Sequence, residues 1–270
     1  MRSDRRSPRG LSDTVLERVS ASPLIDLLGA RRGVVCFVGA GGKKSTLYHL
    51  AGAHPGRVAV TSTVHIPYFP AGRGWHELIE RDEHLYAALS SVARSERRIA
   101  FATPSDKQGR WAGVSPALLE RVARDLAFDA ILVKADGARA RLLKAPLPGE
   151  PALPPVTSSV VLLASAAAVG MPSTEAYVHR PGRLSRLAGI NTGGLIEPRH
   201  LVALIASQCR GFSAVSGRRL TPVINMVDDP RRERMARAVA EQVLSEVSGL
   251  ERVVLTSMMR SQPLVAVVER

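Results

Sequence analysis

Lys43, Lys44, Ser45 and Thr46 follow Gly39-Ala40-Gly41-Gly42 without a break. Three glycines in four positions let backbone N–H groups turn inward with no Cβ in the way. Two ammonium groups and two hydroxyls then stand where a helix can begin. A helix N-terminus carries about half a positive charge. Such a set can cradle phosphate, with a lysine reaching the outer oxygens and a hydroxyl ligating Mg2+. Upstream, Val34-Val35-Cys36-Phe37-Val38 reads as a buried strand; downstream, Leu47, Leu50 and Ala51 fall at helical spacing.

The match to the P-loop pattern is partial. Phe37 stands where the first glycine belongs, and Lys44 occupies the position after Lys43 where Ser or Thr is expected. Sliding the frame makes Lys44 the phosphate lysine and Ser45 the metal hydroxyl, but then Lys43 replaces a glycine. The plain alternative is a glycine-rich turn carrying surface lysines.

Three further stretches bear chemistry. The run 129–137 is an apolar strand ending in Asp136-Gly137. A carboxylate there can hold Mg2+ directly or through water, although Asp-Gly also makes ordinary turns. Arg139, Arg141 and Lys144 follow at once and can meet a second anionic group. Thr63 and His65 close another strand, on the edge where open parallel sheets bind ligands; ordinary β-propensity would also put a threonine there. Asn225-Met226-Val227-Asp228 resembles the guanine-reading sequence of GTPases, with Met226 in place of its lysine. Asn225 and Asp228 are candidates for the nucleotide base, ATP or GTP, while the aspartates at 228–229 also suit a helix cap.

The elements that must position these groups alternate strand and helix. Strands are expected at 33–38, 57–61, 99–101, 129–137, 160–163, 221–225 and 252–256, with an edge strand at 264–268. Helices are expected after the glycine loop, at 82–94, after Ser115-Pro116, from 197 to 209 and from 231 to 247. This order predicts an α/β fold with a mostly parallel sheet and helices on both faces. Residues 1–22 read as a basic tail. Residues 23–270 read as one nucleotide-binding domain with a helical insert around 165–215. The proline-rich 147–155 is a loop or lid.

Composition narrows the class. The net charge is +13, from 37 Lys and Arg against 24 Asp and Glu. The arginines are spread out and no base-stacking aromatic motif accompanies them, which argues against nucleic acid as the main ligand. No apolar run approaches the roughly 18 residues of a membrane span. The N-terminus lacks the apolar core of a secretory signal. Two cysteines, one in an apolar strand, give neither a disulfide framework nor a zinc site. A cytoplasmic protein is expected.

Taken together, Gly39 to Lys43, Thr61 to Ile66, Ala135-Asp136-Gly137-Ala138-Arg139, Leu143-Lys144-Ala145-Pro146, Glu150-Pro151, Val178-His179-Arg180-Pro181 and Asn225 to Asp228 resemble the YqeC family of selenium cofactor biosynthesis proteins. Lys44, Lys134 and Met226 stand where that family usually has Thr, Glu and Lys. The resemblance implies a P-loop NTPase-like accessory protein in the maturation of selenium-dependent molybdenum hydroxylases. Its partners would be such a hydroxylase or its cofactor-maturation proteins. Residues 39–46, Thr63, His65, Arg139, Lys144, Asn225 and Asp228 would then hold a nucleoside triphosphate. Ser45 and Asp136 would hold Mg2+, and Lys43 and Asp136 would act in catalysis. A non-hydrolysing adaptor, a small-molecule kinase and a basic nucleic-acid binder are the other readings.

Overall fold

The computed structural model describes residues 22–213 and 217–270, so the expected tail lies almost wholly outside the described residues. Nine strands form one sheet: β1 (Gly33–Gly39), β2 (Val58–Ser62), β4 (His76–Ile79), β5 (Arg98–Ala102), β7 (Ala130–Lys134), β9 (Thr157–Ser165), β11 (Arg219–Asn225), β12 (Arg252–Thr256) and β13 (Leu264–Glu269). Two short ribbons pair β3 (Ile66–Pro67) with β6 (Arg110–Trp111), and β8 (Leu143–Lys144) with β10 (Val178–His179). The sheet order is β13-β12-β11-β9-β1-β7-β2-β5-β4. All pairs within it are parallel except β12 with β13.

The interior strands are apolar along their whole length because both faces are covered. In β1, Val34, Cys36 and Val38 enter one core, and Val35 and Phe37 enter the other. Helices α1 (Pro23–Leu27) and α2 (Lys43–Ala53) pack on the Phe37 face. Helices α3 (Asp82–Val92), α4 (Pro116–Asp125), α5 (Pro181–Ala188), α6 (Pro198–Ser213) and α7 (Pro230–Glu246) pack on the opposite face. Ser115 caps α4 through its hydroxyl, with Pro116 in the first helical position, as the sequence suggests. The mostly parallel sheet with helices on both faces is an α/β P-loop-like fold.

The chain leaves β1 to build β2, β4 and β5 on one side, returns to insert β7 next to β1, and then crosses to β9, β11, β12 and β13. The direction of winding therefore reverses at β1, which is where doubly wound sheets open a crevice beyond their carboxyl ends. Strand β4 has no counterpart in the sequence reading. Only Leu78 and Ile79 of its four residues are apolar, and pairing with β5 at the sheet edge supplies the rest. The 165–215 stretch holds a short 3-10 turn, β10, α5 and α6, and its apolar side chains join the same core as α7. Among the described residues no helix is long and apolar enough to cross a membrane.

Gly39 ends β1 at φ +85, and a Cβ there would meet the backbone oxygen of Leu163 at 2.1 Å. By contrast Gly52, on α2, has open space around its missing side chain. Urea unfolding of Gly39→Ala should show a loss of about 3 kcal/mol or more, from strain plus overlap. Gly52→Ala should gain up to about 1 kcal/mol of helix propensity.

Candidate functional site

The carboxyl ends of β7, β1, β9 and β11 are neighbours, and each contributes to one rim. Register fixes this: Phe37 lies beside Lys134, Gly39 beside Leu163, and Ser165 beside Asn225. Two residues past β7, Asp136 turns its carboxylate back to the glycine loop. Its Oδ2 accepts from the Gly39 amide at 2.9 Å and from Lys144 Nζ at 2.7 Å. Its Oδ1 lies 2.8 Å from Lys43 Nζ, off the hydrogen-bonding direction, so that contact is an ion pair without a directed bond. Lys43 also donates to the Gly39 carbonyl. Asp136 thus stands beside the glycine loop with its carboxylate engaged by one amide and two lysines.

The loop itself is held from three sides. Ala40 N–H donates to the Leu163 carbonyl, and Gly41 N–H to the Arg141 carbonyl. Asn225 Nδ2 donates to the Gly41 carbonyl at 2.8 Å, and its Oδ1 accepts from Thr256 at 2.9 Å. Gly42 sits at φ +116, and a Cβ on it would reach Asn225 Nδ2 at 2.1 Å. Gly42 is the N-cap of α2 and offers no side-chain bond, so the amides of the first turn point out uncapped. Thr46 turns its hydroxyl back to the Gly42 carbonyl. Lys44 and Ser45 are exposed, and Lys43 is buried. This settles which lysine faces the rim: Lys43.

Lys43, Lys134 and Lys144 are each at most 7% exposed, as is Asp136; Lys43 and Lys144 pair with Asp136, and Lys144 also lies 3.7 Å from Glu150. Lys134 Nζ donates to the His65 carbonyl at 2.9 Å. Burial, with Lys43 next in weight, lowers its pKa to about 7. Burial also lowers Lys43, opposed by Asp136 beside it. Lys44 falls through partial burial and the charge of Arg110. Buried charge without a partner is costly.

Lys144 continues into a cavity of about 630 Å3 lined by Thr63, Asp136, Arg139, Arg141, His179 and Arg180, among others. Desolvation and then Arg180, Lys144 and Arg139 push His179 below the usual imidazole range. Glu150 closes one side. Arg180 grips it bidentately at 2.6 and 2.9 Å, which fastens the 147–155 loop to the start of α5. Thr63 lines this cavity; His65 lines a separate hollow of about 520 Å3 with Asp82, Thr103 and Lys107, so the expectation that the two share one mouth does not hold. Asp228 binds Ser257 at 2.6 Å and pairs with Arg232 at 3.2 Å. Asp229, not Asp228, caps α7.

A divalent cation needs anionic oxygen here, and the residues do not supply it. Both oxygens of Asp136 face ammonium groups, and Lys44 stands where a hydroxyl is needed. Among the described residues, no group of three or more His, Cys, Asp or Glu is placed to hold a metal ion. The donor set does not fit Mg2+. Sequence reasoning did not assign Lys134, Ser165, His179, Glu150 or Arg180 to the site. A lysine closing an otherwise apolar strand was the signal for the first, and the Val-His-Arg-Pro run for His179 and Arg180.

Arg180 holds the Glu150 carboxyl down at about 2, against an ordinary 4.5. The stabilisation this gives is complete above about pH 4.5 and fades as pH falls toward 2, because the unfolded chain takes up the proton first. Carboxyl NMR titration should show the low value in the parent and a return toward the ordinary one in Arg180→Met.

The sequence model of the YqeC protein family matches residues 35–182. A relative from Escherichia coli (strain K12), Uncharacterized protein YqeC, is 32% identical over 206 residues, which cover 73% of this chain and 77% of that protein. The family match runs from β1 to the start of α5 and takes in the glycine loop, Lys134, Asp136, Lys144, Glu150 and Arg180. Asn225 and Asp228 lie beyond it. On both comparisons, the chain belongs to the YqeC family.

Proposed function

We propose that this protein binds a nucleoside triphosphate, ATP or GTP, in the glycine-loop cradle, and that it acts as an accessory protein in the maturation of selenium-dependent molybdenum hydroxylases. One observation carries the nucleotide reading. Two buried lysines, Lys43 and Lys144, meet at Asp136, with a third buried lysine, Lys134, two residues before it, at a rim where an uncapped helix N-terminus also points. That combination attracts phosphate. The glycine loop approaches its scaffold too closely for any Cβ at Gly39 or Gly42, which fits a loop shaped to admit a ligand to its backbone. The hydroxylase role rests on the family resemblance.

In this reading Lys43 leaves Asp136 or shares it when the outer phosphates arrive. The first-turn amides of α2 hold the inner phosphates. Asn225 keeps the Gly41 carbonyl out of the cradle. Asp228 is the group left to meet the base, and its partners Ser257 and Arg232 hold it in place. Catalysis of phosphoryl transfer is mostly positioning and charge neutralisation, and the lysines supply both.

The cavity beside Asp136 favours a second substrate with anionic groups, since Arg139, Arg141 and Lys144 line it. This is compatible with a small-molecule kinase. It is equally compatible with a non-hydrolysing adaptor that hands over a molybdopterin or selenium intermediate. Multiple-turnover phosphate release separates hydrolysis from the adaptor role, and mass spectrometry of products detects a kinase.

A ligand at about a hundred times its Kd stabilises by about 2.7 kcal/mol, or about 5–10 °C in Tm at this chain length. Thermal-shift screens with ATP, GTP and CTP should give a shift of this size for at least one, and Lys43→Ala should abolish it. A Lys43→Ala protein that responds as the parent does would end the cradle reading.

A further inference from the structure

We infer that the cradle binds polyphosphate without a divalent cation, with Lys134, Lys44 and Arg110 supplying the positive charge that a cation would otherwise bring. This rests on the cradle reading above and says what kind of anion complex forms there. Lys44 and Lys134 stand on α2 and β7, next to Ser45 and two residues before Asp136, the expected metal ligands. Lys44 is in the first turn of α2, directly after Lys43. Lys134 closes β7, two residues before Asp136, with its Nζ bonded to the His65 carbonyl. Asp136, already engaged by Lys43 and Lys144, attracts Lys134, while Lys43, Lys44 and Arg110 repel it.

Basic groups gather on this side of the loop, while the hollow at His65 also carries Asp82, Glu83 and Asp106. The charges acting on Lys44 and His65 are Arg110 for the first, and Lys107, Arg110 and Lys134 for the second. Arg110 reaches this place because β6 pairs with β3, immediately after His65. A dication entering here meets like charge from Lys44, Lys134 and Arg110. A triphosphate alone, with four negative charges at most, meets a complement of the right sign. Magnesium would reduce the charge of the nucleotide and so weaken the attraction.

Isothermal titration with ATP and with inorganic tripolyphosphate, each in EDTA and in millimolar Mg2+, tests this on the full chain. The expected result is binding in EDTA as tight as in Mg2+, or tighter. Lys134→Met, close in shape but uncharged, should weaken the EDTA affinity by about ten-fold. The Lys44→Thr/Lys134→Glu pair should lose affinity in EDTA and recover it with Mg2+, with urea unfolding as the check that both variants fold. A parent that binds about five-fold or more tightly with Mg2+ than in EDTA overturns the inference. No heat with either probe in either buffer overturns the cradle reading itself, so the two failures are distinguishable.

Discussion

The rim of this sheet depends on one buried carboxylate. Asp136 accepts from the Gly39 amide and Lys144, and pairs with Lys43, so a single side chain joins the end of β7 to the glycine loop and to β8. Buried ion pairs gain little in net stability, but losing one partner is expensive, about 3–5 kcal/mol, because the other charge is left stranded. Asp136 therefore works as a geometric lock. It holds two ammonium groups at one place, desolvated and oriented.

The lock exists because of strand order. Segments distant in sequence become neighbours when β7 inserts beside β1 and the winding reverses. The Arg141 carbonyl crosses over the loop to the Gly41 amide, and Asn225 braces the opposite side from β11. The glycine loop is thus fixed by groups from three other strands' ends rather than by its own sequence. That arrangement reduces the ordering a ligand must impose on binding.

Charge gives the site its character. Lys43 and Lys144 meet at Asp136, and Lys134, Lys107 and Arg110 lie toward His65, within a chain of net charge +13. Toward the cavity, by contrast, Arg180 is answered by Glu150 and Lys144 by Asp136. The site therefore has two sides. One carries Lys43 and Lys134 beside the glycine loop; the other is the cavity, lined by Arg139, Arg141, Lys144 and Arg180 together with Asp136, Glu150 and Glu175.

Much of the fold was legible in the sequence. Apolar runs, the glycine turn and the Ser115-Pro116 helix start are local signals, so the strands, the glycine loop between β1 and α2 and the parallel α/β class followed from the order of residues alone. Asp136 as partner of the loop was legible too, because an acidic residue closing an apolar strand has few places to go in a doubly wound sheet. Contacts across strands were not legible. Only the tertiary structure gave Lys144 to Asp136, turned Asn225 under Gly41 and separated His65 from Thr63. It also clamped Glu150 to Arg180, and raised His76–Ile79 into an edge strand. The physical reason is that side-chain periodicity reports which face is buried, whereas the partner of a buried charge is set by which strands lie side by side, and in this sheet the neighbours of β1 come from much later in the chain.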